Sequence, residues 1–135
     1  MKIIDGTDAT LGRLASYAAK QALQGEEIVV LNCEKVIITG KRKSIFRDFD
    51  ESRSRVGSSQ KGPKISRLPE RIVKRVIRGM LPDHRMGRGR GAWKRIKCYK
   101  GVPKEFVDKK AIISGKAKHS KFVYVGEFAK WNQNK

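Results

Sequence analysis

Gly87, Gly89 and Ala92 satisfy the spacing G-x-G-x-x-G/A, which in a dinucleotide-binding protein turns the chain tightly beneath a pyrophosphate. That chemistry needs the pattern to leave a strand and open a helix, whereas here it follows an amphipathic stretch and Pro82, the wrong context for a dinucleotide. Thr39-Gly40-Lys41 has the ending of a phosphate loop, but the first glycine of that motif would fall on Lys35 and its hydroxyl on Arg42. His84 and His119 each lack a carboxylate or second ligand nearby in sequence, a setting for phosphate or base contact rather than for a general base or a metal ligand. Asp48, Asp50 and Glu51 would be the paired carboxylates of an acid–base site, yet Arg47, Arg53 and Arg55 surround them, which predicts local salt bridges. Cys33 and Cys98 lack metal-ligand spacing and sit beside apolar residues, so buried free thiols are expected. The residue types of catalysis are present without its spacing, and the expectation is no catalytic residue, no metal and no cofactor.

What the spacing does support is anion binding. Residues 41–100 hold 20 Lys and Arg against 5 Asp and Glu, so this stretch carries +15 of the chain's formal +19. Such a charge repels itself unless a polyanion neutralises it, and nucleic acid is the commonest large polyanion in a cell. Between Pro69 and Pro82, Ile72, Val73, Val76, Ile77 and Met80 fall on one helical face at about 100° per residue. Arg71, Lys74, Arg75 and Arg78 fall opposite, and after Glu70 that face carries no acid, unlike the mixed-sign faces that merely solvate a helix. Asp83 to Gly91 reads as a basic glycine loop, and the arginines of its Gly87-Arg88-Gly89-Arg90-Gly91 run offer forked donors matched to phosphate oxygens. Trp93, Phe46 and Phe49 stand among these cations, where stacking on bases and packing in the core are both open.

The elements that must position these groups are legible in part. The 135 residues and 39% hydrophobic content suit one domain with a modest core, its tail from Lys104 onward being the least defined part. Ile3-Ile4 reads as a strand, Thr10 as a helix cap, Leu11 to about Gln24 as a helix stopped by Gly25, and Ile28–Leu31 as a strand buried on both faces. Strand, helix and strand with short connections predict a parallel sheet. Val36–Thr39 reads as a further strand, Lys41–Val56 as a helix, and the stretch from Gly57 to Lys64 as a loop, for which order by itself and order only against a partner are both open. Ile96–Tyr99 alternates like a strand; Ala111-Ile112-Ile113 and Phe122–Val125 are short apolar segments, and Phe128–Trp131 is a short terminal helix. No apolar run approaches the roughly 20 residues of a membrane span, and no export signal opens the chain, so the cytoplasm is the expected compartment.

The run from Pro69 to Pro82, with the basic glycine segment and Arg95-Ile96-Lys97-Cys98-Tyr99-Lys100-Gly101 after it, resembles the signature of the universal large-subunit ribosomal protein thirteen family. Asp5, Leu11–Ala15, Gly25-Glu26, Val29–Asn32 and Ile38–Lys41 agree with it in the same order. A longer interval between Pro82 and Gly89, and Gly101-Val102-Pro103 followed by Asp108-Lys109-Lys110, look like its archaeal and eukaryotic branch. The resemblance implies a three-layer α/β/α fold with a four-stranded, mainly parallel sheet and basic loop extensions. It implies a non-catalytic constituent of the large ribosomal subunit that binds large-subunit rRNA during assembly, beside neighbouring ribosomal proteins. Matching positions carry RNA contact over to Arg71, Lys74, Arg75, Arg78, Arg88, Arg90 and Lys94. Charge and position add Lys41, Arg42, Lys43, Lys61 and Lys64.

Two rivals belong to other classes. An RNA-modifying enzyme would need a cofactor loop or convergent titratable residues, and neither is legible; a DNA-compacting protein would lack preference for folded RNA. No membrane and no small-molecule substrate are expected.

Overall fold

The four apolar residues Ile28–Leu31 form β2 and all are buried, as a strand covered on both faces requires. β1 spans Lys2–Asp5, β4 spans Ile96–Cys98 and β5 spans Ile112–Ile113. The computed structural model, which describes residues 1–57, 62, 64–116 and 120–130, joins them in one sheet of order β4-β2-β1-β5. Every pairing in it is parallel.

Side chains alternate across this sheet. Ile4, Ile28, Val30 and Ile96 belong to a core shared with helices α1 (Leu11–Leu23), α3 (Pro69–Gly79) and α4 (Gly87–Lys94). Ile3, Val29 and Leu31 point to the other side, where Phe106 from a 3-10 helix at Lys104–Phe106 covers them with Tyr99 and Ala111. The architecture is thus the three-layer α/β/α arrangement with a four-stranded sheet, its third layer thin. The strand expected over Val36–Thr39 forms as β3 (Ile37–Thr39) but lies outside that sheet, pairing antiparallel with β6 (Phe122–Tyr124). The fourth parallel strand comes instead from the tail, as β5.

Alanine explains how three helices share one sheet face. Ala15, Ala18 and Ala22 of α1 are fully buried, and their short side chains let α3 and α4 approach. Thr10 occupies the cap position, but its side chain makes no capping hydrogen bond. At the other end Gly25 takes φ 98°, the left-handed stop that was expected. Arg95 Nη1 also donates to the Ala22 carbonyl at 3.3 Å, satisfying an end group of the helix. Helix α2 (Arg42–Ser54) and the short α5 (Glu127–Lys130) meet through Phe128, whose ring centroid lies 5.0 Å from Phe46 and 4.3 Å from Phe49. Phe46 is buried and Phe49 partly so, which settles both as packing residues in this fold. Trp131, at the end of the expected terminal helix, lies outside the described residues.

The basic glycine loop expected over Asp83 to Gly91 is irregular only as far as Met86 and helical from Gly87. Gly87–Lys94 forms α4, so Arg88 and Arg90 ride a helix rather than a loop. The physical reason lies at Gly89: a Cβ there would stand 2.4 Å from the Asp83 carbonyl oxygen and 2.5 Å from that of Pro82. The glycine permits close packing of α4 against the preceding turn, and its lack of a side chain says nothing about mobility.

Candidate nucleic-acid interface

Helix α3 begins with Pro69 at its first position, where the missing N–H leaves no partner wanting. Its apolar stripe then packs inward: Val73 and Ile77 are fully buried and Ile72 nearly so. Met80, expected on the same stripe, sits at the helix end instead, 42% exposed, where its sulfur accepts a hydrogen bond from Ser16 at 3.4 Å. With the stripe fixed, the remaining positions are forced outward. Arg71 and Arg75 are exposed, and Lys74 and Arg78 are half-buried.

These four side chains line one cleft of about 230 Å³ together with Lys64, Ser66 and Trp93. Lys74 Nζ lies 4.7 Å from the centroid of the Trp93 ring, and the His84 ring meets the same indole edge-on at 6.5 Å between centroids. A second concavity of about 450 Å³ shares Lys64, Ser66 and Arg71 with the first and adds Arg53 and Ile65. Ile65, shortly before α3, is held there by Arg53, whose Nε donates to the Ile65 carbonyl at 3.1 Å. No carboxylate lines either concavity. Among the described residues, the ion pairs nearby are Arg42 with Glu127, Arg47 with Asp48 at 3.6 Å and Arg55 with Glu51 at 3.7 Å, and none takes up Lys64, Arg71, Lys74, Arg75 or Arg78. The last two pairs are the local salt bridges expected for α2, both well exposed and hence weak.

The remaining sequence candidates lie elsewhere. Arg88, Arg90 and Lys94 are exposed on α4 without lining the cleft. Lys41, Arg42 and Lys43 are exposed at the start of α2. Arg42 is engaged within the molecule: Nη1 bonds Glu127 Oε2, and its guanidinium carbon stands 4.8 Å over the Phe46 ring. Lys61 and His119 lie outside the described residues. Arg53 and Ser66 join the site without having been singled out for it. Nothing in their local sequence marks them, since they share the surface only because Ile65 and Ser66 lie against Arg53 of α2.

In open α/β sheets ligands gather beyond the carboxyl ends of the strands. Here the acids at that edge fasten loops. Asp5 Oδ1 accepts from the Thr7 backbone N–H at 3.0 Å, the Thr7 hydroxyl at 2.8 Å and the Asn32 amide at 2.9 Å. Burial pushes the Asp5 carboxyl up, but these bonds, with help from the Lys35 charge, outweigh it and hold the group below its ordinary value. Glu34 Oε2 accepts from the Gly101 N–H at 2.9 Å. Cys33 is buried and Cys98 half-buried, both free, and a hydrogen bond with the Cys98 thiol, together with burial, pushes the Cys33 thiol far up. Such a thiol is a packing group rather than a nucleophile. Among the described residues no group of three or more potential ligands could hold a metal, and no helix is long and apolar enough to cross a membrane.

Fold and site together define a small α/β protein with a cation-lined cleft beside α3. Comparison with known proteins gives that class its family. The chain belongs to the family described as Ribosomal protein L13, whose model matches residues 1–105. It is 44% identical over 133 residues to the large ribosomal subunit protein uL13 of Methanosarcina barkeri, the match covering 94% of each chain. The protein of the same name from Methanocaldococcus jannaschii is 44% identical over 134 residues and 96% of each chain. That of Archaeoglobus fulgidus is 41% identical over 96% of this chain and 85% of its own. These relatives are archaeal, in keeping with the resemblance of the Pro82–Gly89 interval and the residues after Gly101 to the archaeal and eukaryotic branch, and they are ribosomal proteins rather than enzymes.

Proposed function

We propose that this chain is a structural constituent of the large ribosomal subunit, binding large-subunit rRNA through the α3 face and supporting subunit assembly. The observation that carries the reading is the convergence of Lys64, Arg71, Lys74, Arg75 and Arg78 on one concave surface lined by no carboxylate. Five cations held this close repel one another, and a phosphodiester backbone bending into the cleft relieves that repulsion. Arg88, Arg90 and Lys94 on α4 extend the charged surface, with Lys41 and Lys43 at the start of α2 as further phosphate contacts. Arg42 contributes less, because Glu127 already holds it. Lys61 is assigned the same role from charge alone. The names of the archaeal relatives support the large subunit as the site of action, which in the cytoplasm sets rRNA and neighbouring ribosomal proteins as partners.

Recognition in this reading comes from the shape of folded RNA, since forked guanidiniums on a rigid helix fix the spacing of phosphates they can meet at once. A fragment of large-subunit rRNA, bound to the protein and challenged with duplex DNA of equal length at constant salt, tests it. The RNA is expected to remain bound. Equal displacement by DNA would favour a general polyanion binder and overturn the assignment.

A further inference from the structure

We infer that the cleft between α3 and α4 receives one unstacked RNA base on the Trp93 ring, with the adjoining phosphates on Lys64, Arg71 and Arg78. This rests on the rRNA reading above and specifies what that face takes. Phosphate binding alone accounts for the cations but not for an indole among them. Trp93 is half-buried, lines the cleft, and meets Lys74 Nζ at 4.7 Å from its ring centroid. A cation over an indole in a partly exposed site is a modest attraction, so the ammonium is easily exchanged for a better occupant.

Size and chemistry limit that occupant. The cleft measures about 230 Å³, less than the roughly 300 Å³ at which small-molecule sites begin, and suits one ring system rather than a helical groove. A double helix covers the faces of its bases with their neighbours and offers only edges and phosphates, so a flat aromatic wall in a cation-lined cleft is of no use to it. A nucleotide turned out of its stack offers what the cleft lacks: a π-face for Trp93 and a negative charge on each side for the arginines. On binding, the Lys74 ammonium leaves the ring for a phosphate oxygen and the base takes its place.

The test uses the full chain carrying Trp131→Phe, in which Trp93 is the sole indole, with single-stranded oligoadenylate and an RNA duplex of equal length as probes. Trp93 fluorescence is expected to be quenched by the single strand and unchanged by the duplex. Trp93→Ala is expected to weaken single-strand binding about tenfold or more, while Trp93→Phe, which keeps a ring and the packing, retains most of it. If the single strand binds in a salt-dependent way but leaves the fluorescence unchanged and binds Trp93→Ala as tightly, the cleft takes phosphates alone; the inference falls and the rRNA reading stands. If neither probe nor rRNA binds, both fall together.

Discussion

The carboxylate of Asp5 ends β1 and fastens two loops through its bonds to Thr7 and Asn32. Because its folded value lies below the ordinary carboxylate value near 4, its contribution to stability is complete above that value and is lost as pH falls through the folded one. Urea midpoints at pH 7 and pH 3 are therefore expected to show Asp5→Asn less stable than the parent at pH 7, with the difference shrinking at pH 3. An unchanged difference would mean that the charge of Asp5 plays no part. Asp5 was readable as a landmark, but the donors around it were not, since Asn32 reaches it only after the β1–α1–β2 crossover brings the strand ends together. Phe46 and Phe49 show the same limit. Their basic neighbours left stacking and packing open, and only the return of Phe128 from the far end of the chain decided for packing.

Elements differ in how openly the sequence declares them. Helix α3 was legible because its apolar and basic residues separate cleanly at helical spacing, and the structure keeps that division except at Met80. Ile77→Asp is expected to abolish cooperative unfolding or cost about 3–5 kcal/mol, an unpaired charge at a fully buried position. Replacing Arg71, Lys74, Arg75 and Arg78 together by Gln is expected to leave the melting temperature unchanged or raise it, as like charges are relieved. The reverse pattern would mean that the two faces have been exchanged. Helix α4 was hidden by its glycines, which read locally as loop although one of them is there for packing. Gly89→Ala is expected to cost about 1–3 kcal/mol in urea unfolding because the added methyl meets backbone. Gly91→Ala meets nothing closer than Arg95 at 3.8 Å and is expected to be neutral or to stabilise by up to about 1 kcal/mol. Equal costs at the two positions would contradict the packing account. Strand β5 was least legible as part of the sheet: its two isoleucines are exposed at the edge, so no buried pattern announces the pairing with β1.

Across the whole molecule the excess of positive charge in residues 41–100 divides by what the fold does with it. Part is held internally, as with Arg42 and Glu127; part is spread over the outside of α4; and part converges in the cleft beside α3. The total was plain in the composition, whereas the convergence depended on Lys64 and Trp93 arriving from segments on either side of α3. If that convergence is the rRNA-binding surface, each cleft cation that meets a phosphate releases condensed counterions and adds about 0.7 to 0.9 to the slope of log affinity against log salt. The decisive measurement is that slope for a large-subunit rRNA fragment, compared between the parent and the protein with Arg71, Lys74, Arg75 and Arg78 all changed to Gln. A folded variant with a slope shallower by about 3 is the expected result. An equal slope and equal affinity in the two proteins would contradict the account, because the RNA would then be bound without the cleft.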